Sequence, residues 1–436
     1  TATGGEFDIV SGGGNEKSDK THMEGFGGGF GGNRGDFSDK FGGFPNDFDQ
    51  DNMPENFGQH SKNDRFREET DNDNSGTQLS FVKLNAENET VSDTETSDSK
   101  KGIKGGTAVN IKGGTFKIDS ADDGLHSDGT AVIEDGTLEI LAGDDGIHSD
   151  KSVEINGGDI KISVSYEGIE SAEISISGGN TEVHSSDDGI NASDDSSQGG
   201  MGSYSDVFFD ISGGTLYVNA DGDGLDSNGD MTISGGVVLV HGPTNSGNGA
   251  LDSNGEITVT GGILIAAGSS GMAEIPSDNS TQNCVSVTFD STLSADTMVT
   301  LTDSSDNEIL CFVPEKQFDN IVISSPEIIS GETYKICTGG TDSSQKNGGL
   351  YEKGGYKNDG TAYDEFTADS VVSIVGKQTA FGGGFGGHGN FGGGMKPNFD
   401  GGERPEMPNS EERPEMPNGD FGGMRPDGNF GGRQPR

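Results

Sequence analysis

Ile111-Lys112-Gly113-Gly114-Thr115-Phe116-Lys117-Ile118 returns as Ile133-Glu134-Asp135-Gly136-Thr137-Leu138-Glu139-Ile140 and again as Ile155-Asn156-Gly157-Gly158-Asp159-Ile160-Lys161-Ile162. Shorter copies follow at Ile176-Ser177-Gly178-Gly179, Ile211-Ser212-Gly213-Gly214, Ile233-Ser234-Gly235-Gly236 and Val259-Thr260-Gly261-Gly262. The steps between starts are 22, 22, 21, 35, 22 and 26 residues, so the base period is 22. Apolar and polar residues alternate within each copy, glycines mark the turns and no helical spacing occurs, which is the pattern of a stacked β-solenoid. Leucine-rich repeats have this length but need regular leucines and a helical arc, and neither is present. The fold class expected is all-β: a right-handed parallel β-helix. The 35-residue step implies a loop within 191–205 and the 26-residue step a smaller one around 243–248, both expected on the same side of the coil.

A second signature recurs within each period. Asp122-Asp123-Gly124-Leu125-His126-Ser127 is followed by Asp144-Asp145-Gly146-Ile147-His148-Ser149, Tyr166-Glu167-Gly168-Ile169-Glu170-Ser171 and Asp187-Asp188-Gly189-Ile190-Asn191-Ala192. Gly222-Asp223-Gly224-Leu225-Asp226-Ser227 and Asn248-Gly249-Ala250-Leu251-Asp252-Ser253 complete the set. In strand geometry the Leu or Ile points inward and the polar residue after it outward. Equivalent residues on adjacent coils then stand about 4.8 Å apart. Two carboxylates at that spacing repel by on the order of 1 kcal/mol in bulk water and about 3.5 kcal/mol at an effective dielectric of 20. Rows of acids are therefore expected to hold a hard cation, and clusters of flexible carboxylates and carbonyls suit calcium better than magnesium. The candidate ligands are Asp122, Asp123, Asp144, Asp145, Glu167, Glu170, Asp187, Asp188, Asn191, Asp221, Asp223, Asp226 and Asp252. The alternative reading is that the same acids only make solvent-facing Asx turns, a role Asp-Gly pairs often play. His126, His148, Tyr166, Lys151 and Lys161 are candidate contacts to a bound ligand.

Composition limits the partners. The 436-residue chain carries a formal net charge of −47, which repels phosphate and excludes nucleic acid. Hydrophobic residues make up only 28% and Gly numbers 76, values compatible with a folded chain when each coil buries a narrow inward stripe against its neighbours. No apolar run approaches the roughly 18 residues of a transmembrane helix. Cys284, Cys311 and Cys337 are odd in number, so buried thiols stacked at similar coil positions are expected rather than a disulfide framework.

Outside the repeats, Thr3 to Val10 reads as one coil, with further coils and a secretion signal expected upstream of residue 1. Residues 11–96 are a largely disordered insertion rich in Gly, Phe, Asp and Asn, and 377–436 a disordered Gly/Pro-rich tail. Residues 97–282 are the parallel β-helix proper. The rhythm breaks over 283–376, where strand-like runs and a polar loop at 341–365 predict a β module that caps the solenoid end.

The motifs Asp122 to Ser127, Ser165-Tyr166-Glu167-Gly168-Ile169-Glu170 and Asp187 to Ala192 resemble those of a family of bacterial β-helix proteins, the carbohydrate-binding domain-containing proteins. The resemblance spans about residues 97–375 and includes Leu301-Thr302-Asp303-Ser304 and Ile328 to Thr333. It implies a fold similar to pectate lyases and calcium-supported, non-catalytic binding of plant cell-wall polysaccharide, pectate or cellulose, by a secreted or cell-surface monomer. The long Gly/Phe insertion and the absence of Trp depart from it, the latter arguing against stacking on crystalline cellulose. Two other classes stay open. A lyase of the pectate type uses calcium and a cationic base, usually Arg, and no Arg occurs between residues 68 and 403. A hydrolase uses one pair of acids, whereas Asp-Asp pairs recur here on several coils. A surface or matrix protein without a sugar ligand is the third possibility.

Overall fold

The computed structural model describes residues 1–17, 99–194 and 206–377. They belong to a compact unit spanning Thr1–Gly387. A second unit, His388–Arg436, lies outside the described residues, as do most of the two segments expected to be disordered.

The chain winds into a parallel β-helix of about seven turns, with no α-helix among the described residues. Each coil presents three sheet faces. Face A stacks Ile103–Gly105, Leu125–Ser127, the start of Ile147–Ile155 and of Ile169–Ile176, then Ile190–Ala192, Leu225–Ser227 and Leu251–Ser253, all parallel. Face B contains Phe208–Ile211, Asp230–Ile233 and Ile257–Val259. Face C contains Asp159–Val164, Asn180–Ser185, Thr215–Ala220, Val237–His241 and Ile263–Gly268. Two strands, Ala108–Ser120 and Thr130–Ala142, run from face B into face C around the corner marked by Gly113-Gly114 and Asp135-Gly136. Glu6–Ser11 pairs with Thr115–Ser120, so the first residues form a coil that precedes the insertion.

The core is a set of ladders. Ile103, Leu125, Ile147, Ile169, Ile190, Leu225 and Leu251 share one register position on face A and all are buried. Each such side chain contributes roughly 1.5–3 kcal/mol, which is how a chain of low apolar content sustains one continuous core. Glycine has a positional reason at two corners. A Cβ on Gly168 would sit 2.2 Å from the Gly189 carbonyl oxygen and 2.2 Å from a Val183 methyl, so the DDG-type turn tolerates no side chain where coils touch. At the other corner Gly179 has φ +78°, a conformation L residues avoid.

Two expectations are corrected. The loops of the long steps do not share a side: the first follows Ala192 at the corner from face A to face B, and the second follows His241 at the corner from face C to face A. The cysteines are free and buried, but not at coil positions. Cys284 opens Cys284–Leu293, while Cys311 and Cys337 flank Thr300 in a separate sheet.

At the C-terminal end the last coil strand, Ile263–Gly268, is met antiparallel by Phe318–Ser324, which in turn pairs with Cys284–Leu293 and through it with Val372–Gly376. This turns the open strand edge into a covered one. Val299–Asp303, Glu308–Phe312, Thr333–Thr338 and Thr361–Thr367, with the short strands Lys346–Asn347 and Leu350–Tyr351, build the second sheet. It docks on face C where the outward residues become apolar: His241 stacks on Phe312 at 5.1 Å and accepts a hydrogen bond from the Glu315 backbone at 2.9 Å.

Candidate functional site

The corner leading into face A places two rows of polar side chains side by side. Backbone bonds from one turn to the next fix the first row: Gly102 N–H donates to Asp123 O, Gly124 to Asp145 O, Gly146 to Glu167 O, Gly168 to Asp188 O and Gly189 to Asp223 O. That row reads Lys101, Asp123, Asp145, Glu167, Asp188, Asp223. The second row follows from strand register and reads Lys104, His126, His148, Glu170, Asn191, Asp226, Asp252. Glu274 extends it, its carboxylate accepting from the Ser253 N–H at 3.0 Å.

The rows change chemistry along the axis. In the first described coils the charges are compensated. The Lys101 ammonium contacts Asp123 and stands 3.5 Å from Asp122, and Lys104 lies 3.2 Å from Asp128. His126 bridges Asp123 at 2.7 Å and Asp128 at 2.9 Å. Burial works to raise Asp123, but the His126 hydrogen bond and the Lys101 charge overturn it and hold the carboxyl below its usual range. In the next coil His148 lies 3.1 Å from Asp145 and 3.3 Å from Glu170. Burial disfavours its imidazolium, yet Asp145 and Glu170 outweigh that and lift its pKa to about 9.

Apart from the pairs His148 makes with Asp145 and Glu170, the compensation ends at this coil. Glu167, Asp188, Asp223, Asp226 and Asp252 form no ion pair among the described residues. Asp188, Asp223 and Asp226 bring three carboxylate oxygens within 4.8 Å of one another. Burial first, and then Asp188, Asp223 and Asp252, drive Asp226 well above the carboxylate range. Burial and Asp252 push Asp223 up to about 7, and burial and the same Asp252 push Glu274 to about 7. Glu167 and Asp188 are raised in the same way, by burial and then by neighbouring acids.

Leftover valence tests whether this segment suits a divalent cation. Asn191 is 9% exposed and donates its amide to Glu167 at 3.0 Å, while its Oδ1 is buried without a donor. Asn191 pairs in register with Asp226, so an orphaned buried carbonyl oxygen on the coil next to the three converging carboxylates adds to an oxygen donor set of the kind a hard cation takes, and loss of hydration without compensation costs roughly 1–3 kcal/mol. The residues fit.

The structure does not bring every candidate together. Asp221 falls outside both rows and pairs with Lys316 at 2.6 Å. Lys161 is on face C, hydrogen-bonded to Glu182, and Lys151 is exposed at the corner between faces A and B. Asp122, Asp144, Tyr166 and Asp187 form an outer row beside the first, Tyr166 standing between Asp144 and Asp187 through backbone bonds of 2.7 and 2.9 Å. Sequence reasoning missed Lys101, Lys104, Asp128, Asp150 and Glu274. The signal was the period itself, since 101, 104, 128 and 252 each lead to their partner 22 residues on.

A polar strip of stacked acids thus runs along one face of a β-helix. The family of carbohydrate-binding domain-containing proteins matches residues 1–146 and 143–311, and the chain belongs to that family. No curated protein and no solved structure matches it. Among the described residues no helix is long and apolar enough to cross a membrane.

Proposed function

We propose that face A is a calcium-supported binding surface for an acidic plant cell-wall polysaccharide, of the pectate class, and that it acts outside the cell without cutting the polymer. The observation that carries the reading is the uncompensated cluster of Asp188, Asp223 and Asp226, with the orphaned Asn191 Oδ1 beside it. Membership of a carbohydrate-binding family supplies the ligand class.

Electrostatics then selects how the two meet. A uronate chain and a protein of net charge −47 repel. Calcium held by this cluster, with Glu167, Asp252 and Glu274 around it, reverses the local sign and keeps coordination positions for sugar carboxylates and hydroxyls, because calcium takes six to eight oxygen ligands. Outside the cell such a site would work at about 10⁻⁴–10⁻³ M calcium, the range of extracellular modules. The strip carries no Arg, the usual base for β-elimination, so binding is assigned without cleavage.

The test is retention on immobilised polygalacturonate. Retention with calcium and its loss on chelation support the reading; retention indifferent to chelator, or unsaturated products after long incubation, would contradict it.

A further inference from the structure

We propose a second metal site of a different class, one coil nearer the N-terminal end: Asp145, His148 and Glu170 hold a borderline divalent ion such as zinc. It goes beyond the calcium reading, because its centre is a nitrogen donor and it uses none of Asp188, Asp223 or Asp226.

Asp145, His148 and Glu170 converge as three ligands. Asp145 Oδ2 lies 3.1 Å from His148 Nδ1, and Glu170 Oε2 lies 3.3 Å from the same nitrogen. Zinc bonds of about 2.0–2.1 Å in a tetrahedron set ligand atoms about 3.3–3.4 Å apart. The two edges from His148 Nδ1 therefore stand near the required length before any ion enters, and all three ligand atoms lie within 4.8 Å of one another. Two carboxylates and a neutral imidazole balance a dication.

Three further observations separate this place from an ordinary ion pair. Asp145 is 3% exposed, and its second oxygen, Oδ1, is buried with no hydrogen-bond partner. An ion pair with His148 through Oδ2 leaves that oxygen unsatisfied, whereas a cation held by both oxygens of the carboxylate, with zinc expanding to five-coordination, would give it a partner. The other ring nitrogen, His148 Nε2, stands 3.6 Å from Asp150 Oδ1, longer than a hydrogen bond but close enough for Asp150 to close on the ring N–H and orient the histidine once a metal is bound. One coil earlier the equivalent His126 has the same outer partner, Asp128, but there the Lys101 ammonium already compensates Asp123. The repeat thus supplies its own control: the same Asp and His with a built-in cation in one coil, and without it in the next.

Nitrogen is what selects the ion. Imidazole suits zinc and related transition metals, whereas calcium prefers oxygen alone. Three protein ligands leave a fourth position for water or for a hydroxyl or carboxylate of a bound sugar. Along one face the protein then sorts cations by donor type, with zinc at His148 and calcium at Asp226.

Cobalt(II), the spectroscopic substitute for zinc, tests this on the full chain in excess calcium. One equivalent is expected to produce the intense visible absorption of a tetrahedral site and to be displaced by zinc. His148→Gln should abolish that absorption and weaken zinc binding more than about 10-fold, the least that even an outer partner commands, while calcium binding stays at the wild-type level. Glu170→Gln, at a half-buried surface position, serves the same purpose should His148→Gln fold poorly, and Asp150→Asn should cost about 10–100-fold. No visible absorption, or equal zinc affinity in the folded His148 and Glu170 variants, would overturn the proposal and leave an ion pair. Calcium titration of the same samples reads the calcium site separately, so the failure of one is distinguishable from the failure of the other.

Discussion

Lys101 occupies the place in its coil that Asp123 occupies in the next, and the ammonium of the one contacts the buried carboxylate of the other. The acid row therefore begins with a cation supplied by the chain itself. Asp123 is only 1% exposed, so its charge persists through Lys101 and His126. Farther along, no lysine takes that part, and the same row position has to be neutralised by protons or by an ion.

Removing Lys101 exposes this dependence. Lys101→Met should destabilise the protein by about 3 kcal/mol, the scale for deleting one partner of a buried pair. Thermal melting checks it, and the double variant Lys101→Met/Asp123→Asn should recover most of the loss. A single variant as stable as wild type would show that Asp123 does not need its cation.

Chelated protein should lose stability as pH rises. Asp223 and Glu274 titrate at about 7 when folded, above the roughly 4 of exposed acids. The folded state thus holds protons that the unfolded chain has released, and the stability present below about pH 4 disappears as pH rises through 7. His148, raised to about 9, adds a loss of the same sign from its ordinary value near 6.5 up to about 9. Melting temperature in chelator should fall by several degrees between about pH 5 and pH 8, and excess calcium should flatten the curve. A rise over that range would contradict the burial of these carboxyls.

The DDG-type turn should not accept a side chain. Gly168→Ala places a methyl 2.2 Å from the Gly189 carbonyl oxygen, so coils must part there, at an expected cost of about 3 kcal/mol or more. Gly354→Ala, where nothing lies within 4 Å although φ is +99°, should cost about 1 kcal/mol, through backbone strain alone. Denaturant melts that rank the two in the opposite order would refute the close-contact explanation.

Much of this was legible because a repeat states its own register. Once Ile111, Ile133 and Ile155 are aligned, the other positions of the coil follow, and the Leu/Ile ladder from Leu125 to Leu251 and the acid rows over the same coils were readable, though not the lysines that open the rows or the Glu274 that extends one. What was not legible depends on contacts outside the period. Asp221 belongs to the DDG region in sequence, yet Lys316, 95 residues later, draws it into an ion pair beyond the rows. The sides on which the loops emerge depend on which corner absorbs extra residues, and Gly/Ser-rich stretches carry no mark of that. Cys311 and Cys337 were placed by an antiparallel sheet with no repeat at all. Glu274 was accessible, standing 22 residues after Asp252, but its segment lacks the turn glycines that made the earlier copies visible.

Calcium titration calorimetry on the wild type and on Asp188→Asn/Asp226→Asn tests the central claim most directly. Both substitutions remove charge from a crowded cluster, so in chelator the variant should melt at the wild-type temperature or above it. Calcium should bind the wild type with heat that saturates and raise its melting temperature, and the variant should lose both responses. Equal calcium affinity and equal calcium-induced stabilisation in the two proteins would contradict the account.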